Sequence, residues 1–409
     1  MASVPVSTPT ATKPAIEHPL RNPNYRLWLI GSTISFLGDQ FYMVALPWLI
    51  LQKTGSAKAM GAVMMTGSIP RALLMLMGGA ISDRISARKI MMTTATVRTI
   101  CVAVIGILVW FRVLQMWEIY ILVVTFGVAD AFAVPATTAY LPSLLQPEQL
   151  VAATSVSQST AQMTTTVGPV PAGFVIKALG EAWAFFIDAV SFLFIIGALW
   201  KLPDPPKSPG VHKAVLPAIA EGITYVGKDV PLRTVMLLAM MMNLCFAGPV
   251  SLGLTYLTKT RFGSPAILGT LMSVIAVGSL VGSLLAGVWK IHRRGIMILL
   301  VAAALGLCLG SIGLMSRVPP LAGVLFVIGV LVAFMNVHIG AWIMQRIDAA
   351  IRGRVASVLM LGSFGILPLS FAIAGFMIDW NLKFTLLIAG LAMLITAVGA
   401  SLQKSVREI

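Results

Sequence analysis

Twelve stretches of this chain are each apolar over about twenty residues, and that pattern constrains its fold more than any other feature. A bilayer core of about 30 Å is crossed by a helix of about 20 apolar residues. The stretches lie at 25–51, 58–82, 90–111, 117–141, 150–178, 183–201, 232–257, 265–289, 296–316, 320–345, 355–378 and 383–402. Apolar residues make up 58% of the 409 and charged residues only 11%. A soluble domain carries about a quarter charged residues, so too little polar side chain is left here to coat one. The sequence predicts an all-α membrane protein with twelve transmembrane helices.

The spans fall into two sets of six. Residues 1–24 are rich in Pro, Thr and Ala, with no apolar core of a signal peptide, and are expected to form a disordered cytoplasmic tail. Residues 25–201 form a first six-helix bundle and 231–402 a second, followed by a short tail at 403–409. Between the bundles, 202–230 is a polar linker whose Pro203, Pro205, Pro206 and Pro209 break any helix. Beyond them Val215, Leu216, Ile219, Ile223 and Val226 recur at helical spacing, which predicts an amphipathic helix lying on the cytoplasmic face.

Orientation follows from the basic residues. The net charge is +15, but Lys and Arg form no dense patch of the kind nucleic acid requires. They sit in short clusters such as Arg84, Arg88 and Lys89, or Lys290, Arg293 and Arg294. With the N-terminus in the cytoplasm, they favour that side by more than two to one over the side holding Lys53, Lys58, Arg112, Lys177, Lys259, Arg261, Arg317 and Lys383. Both termini are therefore expected in the cytoplasm of a bacterial-type inner (plasma) membrane. The nine tryptophans all fall near span ends, where an amphipathic ring prefers to sit.

An internal repeat strengthens the two-bundle reading. Ala172-Gly173-Phe174-Val175-Ile176 in span 5 recurs as Ala374-Gly375-Phe376-Met377-Ile378 in span 11, the same place in each half. The loop after span 2 carries Gly79, Asp83, Arg84, Arg88 and Lys89. A glycine there lets helices approach, and an Asp at a helix end can accept from the N-terminus of a facing helix and latch two halves together. Span 5 carries Gly168, Pro169, Pro171, Ala172 and Gly173, and span 1 carries Leu37-Gly38-Asp39 and Ala45-Leu46-Pro47.

These motifs resemble those of the major facilitator superfamily: the loop its signature, the span-5 set its exporters' glycine-proline motif, the span-1 set its drug/proton antiporters. Pro135-Ala136, Leu141-Pro142-Ser143-Leu144, Phe186-Ile187-Asp188-Ala189 and Arg352-Gly353-Arg354-Val355 are similar to the branch holding enterobactin (siderophore) exporters and macrolide efflux proteins. The resemblance implies two pseudo-symmetric six-helix bundles around a central cavity. It further implies proton-coupled export (antiport) of hydrophobic or amphipathic small molecules by alternating access. Working as a monomer is expected. An importer or a lipid or metabolite carrier of the same fold stays open at this point. So does a different class, an intramembrane enzyme or a structural or signalling membrane protein. No ATP-binding loop of the Gly-x4-Gly-Lys-Ser/Thr form occurs in the sequence. Cys101, Cys245 and Cys308 lie inside apolar segments without metal-ligand spacing, so no cofactor, metal or catalytic centre is expected.

Ionisable residues at membrane depth carry the functional signal, because each is costly there and faces a cavity or a partner. At 1.5 Å per residue, Asp39 comes roughly 18 Å into span 1, and Arg71 a similar depth from the same side. Arg98 and Asp130 lie roughly 12 and 15 Å from the cytoplasm. Matched depth predicts two pairs, Asp39 with Arg71 and Arg98 with Asp130. Asp39 is the candidate proton carrier. His338, Asn243 and Asn336 are candidates for the same cavity, while Asp188 is placed nearer the outer face.

Overall fold

The computed structural model describes residues 18–82, 85–204, 215–289, 291, 293–348 and 351–403. The first half runs α1 Pro23–Thr54, α2 Ala57–Ser82, α3 Ala87–Trp110, α4 Met116–Tyr140, α5 Leu150–Val167, α6 Pro169–Leu179 and α7 Glu181–Lys201. A linker helix follows, α8 Val215–Lys228. The second half is α9 Val230–Leu257, α10 Pro265–Val288, α11 Arg294–Ile312, α12 Val318–Arg346, α13 Arg352–Gly365 and α14 Leu367–Ser401.

Among the described residues nine helices are long and apolar enough to cross a membrane. One of them, Gly353–Ser401, holds spans 11 and 12 end to end. They part at Asn381, whose backbone is extended and whose side chain accepts from Phe384 N (3.1 Å), restarting the helix. The two expected spans outside the nine are α2, with Pro70 and Arg71 at its centre, and span 5, cut at Gly168-Pro169 into α5 and α6.

Helix ends follow local chemistry. Asn22 accepts from Asn24 N and Tyr25 N, and Pro23 takes the first helical position, where its missing N–H costs nothing. Gly55, at φ 67°, ends α1 in the left-handed conformation. These caps correct the expected tail. Residues Pro19–Arg21 already form a 3-10 turn and helix begins at Pro23. Residues 1–17 of that tail, most of the proline-rich linker, and 404–409 lie outside the described residues. Of the apolar stripe of α8, Val226 is buried with Leu232, Val235, Val355 and Val358 while Ile223 is exposed, and Gly222 lies against the Arg354 carbonyl. Arg354 also pairs with Glu221 of α8.

The halves meet along two seams, α2 against α14 and α6 against α10. Both are built from glycines of the internal repeat. A Cβ on Gly375 would lie 2.9 Å from Gly61 Cα, and one on Gly269 would lie 3.2 Å from Gly173 Cα. The repeat keeps its burial pattern: Ala172, Gly173 and Ile176 are buried and Phe174 exposed, as are Ala374, Gly375 and Ile378 against Phe376. Among the described residues, the α2–α14 seam ends in a carboxylate cap. Asp379 accepts from Ser56 Oγ (2.5 Å), Ala57 N (2.5 Å) and Lys58 N (3.0 Å), capping α2 from the other half. On the same face Lys259 donates to Gln52 Oε1 (3.0 Å) and lies over the Trp48 ring.

Candidate functional site

A cavity of about 570 Å³ lies between the halves. It is lined mainly by α1 to α4, and the second half contributes Ser251, Met272, Phe364, Leu367 and Phe371. The cavity reaches Met91 on α3 and Thr138 on α4, close to the helix ends at one face, while on α1 it begins at Ser32, roughly 14 Å from the helix start. Toward the other face it stops at Leu46 and Pro47, roughly 10 Å short of the end of α1. The Asp379 cap closes that second face.

Four charges line one wall in a chain. Arg98 donates through Nη2 to Asp39 Oδ1, and its Nη1 lies 3.8 Å from Asp130 Oδ1. Arg71 Nε lies 3.1 Å from Asp130 Oδ2. That Nε–H makes no aligned hydrogen bond, so the contact is ionic. Arg98 is sandwiched between Phe126 and Phe192, 4.6 and 4.4 Å from the ring centroids, an arrangement that favours a desolvated guanidinium. Arg71 reaches across to the ring of Phe364 in the second half. Among the described residues, every charge lining this cavity comes from the first half.

Of the expected pairs, Arg98 with Asp130 is present at 3.8 Å, while Asp39 with Arg71 is corrected. Asp39 is held by Arg98 instead of Arg71, and Arg71 belongs to Asp130; the contact between Arg98 and Asp130 is the longer one. Depth fixed the level of each group but not its direction around the helix. What sets the direction is a close approach of α2 and α4. Val123 and Gly127 pack on Gly67, so Arg71 and Asp130, one turn further, come side by side. Asp188 is also misplaced by the depth argument. It lies against Gly38, where a Cβ would come within 2.8 Å of its Oδ1, and so at the level of Asp39.

The other expected residues scatter. His338 is buried in α12 beside Phe334 (4.7 Å between centroids), its Nε2 without a partner. Asn243 donates to Ala239 O (3.0 Å) on its own helix, and Asn336 is exposed. None of the three lines the cavity. Of the loop motif, Asp83 and Arg84 lie outside the described residues, and Gly79 sits near the end of α2. Lys89 is exposed; Arg88 donates to Leu199 O (2.6 Å) and Trp200 O (3.1 Å), capping α7. Gly168 packs on Gln40, and Pro169, Ala172 and Gly173 are buried, Pro169 and Gly173 packing directly against α10 at the seam. Asp379 escaped sequence reasoning, although it directly follows the repeat.

Residues 28–367 match the model of the Major Facilitator Superfamily. The chain is 27% identical over 402 residues to the multidrug efflux pump Tap of Mycolicibacterium fortuitum, covering 94% of this chain and 96% of that one. It is 23% identical over 351 residues to macrolide efflux protein A of Streptococcus pyogenes, covering 82% and 84%. The fold superposes on a mutant of the nucleoside transporter NupG with TM-score 0.79 at 15% identity, covering 93% and 99%. It also superposes on a bacterial homologue of the iron transporter ferroportin in an inward-facing state, with TM-score 0.71 at 16% identity, covering 95% and 100%. Such distant likenesses speak to the fold alone. With its apolar helices, two-halved architecture and central cavity, the chain belongs to the Major Facilitator Superfamily and is a multi-pass membrane transporter.

Proposed function

We propose that this protein exports hydrophobic or amphipathic small molecules in exchange for protons, by alternating access in the inner (plasma) membrane. The observation that carries the reading is the run of charges from Asp39 through Arg98 and Asp130 to Arg71 along one wall of a mainly apolar cavity. Such a cavity accepts apolar cargo, and charges kept at membrane depth serve ion pathways or proton relays. The efflux function in the printed names of the two relatives above points to export. The face toward which the cavity extends carries the larger share of Lys and Arg, which supports an inward-facing state with both termini cytoplasmic. The protein acts as a monomer, with Asp39 the site where proton release is tied to cargo binding.

The test is reconstitution in vesicles with ethidium as probe. A pH gradient should drive ethidium uphill out of the cytoplasmic side, and Asp39→Asn should abolish this drive while leaving exchange intact. Arg98 keeps Asp130 within 3.8 Å in that variant, so the cost of about 3–5 kcal/mol for stranding a buried charge is avoided and the protein should still fold. Drive that survives Asp39→Asn would remove Asp39 from coupling. Inward accumulation along the proton gradient would overturn export. Terminal tags reached only from outside the cell would overturn the orientation.

A further inference from the structure

Behind the cavity wall lies a carboxyl group that the reading above does not use. Asp188 on α7 is fully buried, and its Oδ2 has no hydrogen-bond partner. Its Oδ1 is 3.4 Å from Ser191 Oγ, whose hydroxyl donates to the Asp188 carbonyl at 2.7 Å. A buried polar group without a partner is costly, and a carboxyl so placed avoids the larger cost of charge by holding a proton.

The surroundings link this group to Arg98. Gly38 brings α1 directly onto Asp188 and Ser191, so Asp39 follows immediately. Phe192, over whose ring Arg98 lies, is one helical turn from Asp188 on the same face of α7. Arg98 and Asp188 are within electrostatic reach of each other. Arg98 Nε, like Asp188 Oδ2, is buried without a partner. Three helices pack on this part of α7. From α1 come Asp39 and Tyr42, and from α3 Arg98 and the buried Cys101. The α6 helix brings only the exposed Lys177, near the turn at Gly180.

We propose that Asp188 is a second coupling residue, a concealed carboxyl that trades its proton for Arg98 with Asp39. In the present arrangement Arg98 is paired with ionised Asp39 and Asp188 is neutral. The exchange moves one proton from Asp188 to Asp39 and turns the guanidinium from Asp39 to Asp188. One carboxylate is ionised before and after, so charge balances without an outside acceptor. Asp39, which lines the cavity, then presents the proton to water or cargo. The proposal rests on the proton-coupled reading for its role in transport, but the exchange itself is separable from transport.

Infrared spectroscopy of the full-length protein in lipid nanodiscs tests it without any cargo. At neutral pH the wild type should show a protonated-carboxyl C=O band that Asp188→Asn removes. Asp39→Asn should remove the same band, because Arg98 then turns to Asp188 and ionises it; Arg98→Gln should retain it. A merely structural Asp188 would keep its band in Asp39→Asn, and that result overturns the proposal. A wild-type spectrum without the band overturns it as well. Ser191→Ala, which removes the hydroxyl beside Oδ1 and its bond to the Asp188 carbonyl, should shift the band and so assigns it even if Asp188→Asn fails to fold; an unshifted band would mean that it does not arise from Asp188. In vesicles, Asp188→Asn should lose pH-driven ethidium export while keeping exchange. If the bands behave as expected but the wild type shows no pH-driven export, the transport reading falls and the exchange stands.

Discussion

The α2–α14 seam and the α6–α10 seam are copies of one design that end differently. In each, an Ala-Gly pair of the repeat brings one helix from each half into backbone contact: Gly375 onto Gly61, Gly173 onto Pro265 and Gly269. Such approaches are how helices associate in lipid, where packing replaces the hydrophobic effect. The position after Ile378 is Asp379, which caps α2; the position after Ile176 is Lys177, exposed at the corresponding end of α6. An anion satisfies the donors at a helix N-terminus and a cation opposes them. The glycines therefore make both seams close, while the charge makes one of them a latch. Closure of this face is asymmetric although the fold is pseudo-symmetric.

The largest effect should come from breaking what the seams share. Gly375→Leu places a branched side chain where Gly61 Cα would lie 2.9 Å from its Cβ, and Gly269→Leu does the same against Gly173. Backbone cannot yield there without separating the halves. Either substitution should lower ethidium export about tenfold or more, because overpacking of this kind costs roughly 1–3 kcal/mol in one conformation. Because the second face is the one prised open, nitroxides at Lys53 and Lys383 should show the longer of their distances. If one seam tolerates leucine and the other does not, the two are not equivalent as packing surfaces.

A smaller effect should follow from Asp379→Ala, which leaves packing intact and removes three acceptor contacts from α2. Asp379 is exposed, so water competes. Its worth is that of about one charge-assisted bond, roughly 1.5–3 kcal/mol. The closed-to-open ratio at this face should fall by roughly 10- to 150-fold, read from the populations of the two nitroxide distances. Asp379→Asn should recover part of the loss, since an amide oxygen still accepts. An unchanged ratio in Asp379→Ala would reduce the cap to decoration on a seam that glycine packing alone keeps shut.

Much of this architecture was legible in the sequence, and the limits have a common physical origin. Span length and apolarity gave the helices, and Gly168-Pro169 announced the break in span 5. Rise per residue placed Asp39, Arg71, Arg98 and Asp130 at a shared depth. It could not say which way each side chain points around its helix, so the partners of Asp39 and Arg71 came out wrong. Polarity misled for the same reason. Asn243 satisfies itself on Ala239, and His338 packs beside Phe334 on its own helix; neither lines the cavity. Asp379 was within reach, since comparing one more residue of the repeat sets Lys177 against Asp379. Asp188 was not, because only the absence of a side chain at Gly38, across another helix, reveals how close it lies to Asp39.

The smallest effect, and the one that sharpens the comparison most, should come from Lys177→Asp. The substitution puts at the α6–α10 seam the charge that the other seam carries. The receiving end is poorer. The α2 helix offers Ser56 Oγ and the N–H groups of Ala57 and Lys58, whereas α10 opens with Pro265, which has no N–H to give. Ser264 makes no side-chain capping bond among the described residues, so some of the following N–H groups are open to an anion. An aspartate there gains only the dipole interaction of an exposed helix start, roughly 0.3–1 kcal/mol. Closure should tighten by about two- to fivefold, and high salt should erase the gain. Lys177→Ala should give less than half of that, because it removes repulsion without adding an acceptor. If Lys177→Asp instead matches the full effect of Asp379, the difference between the seams lies in one side chain and not in the helix start that receives it. If it does nothing even at low salt, the proline at position 265 has already closed that end to capping, and the asymmetry is built into α10 itself.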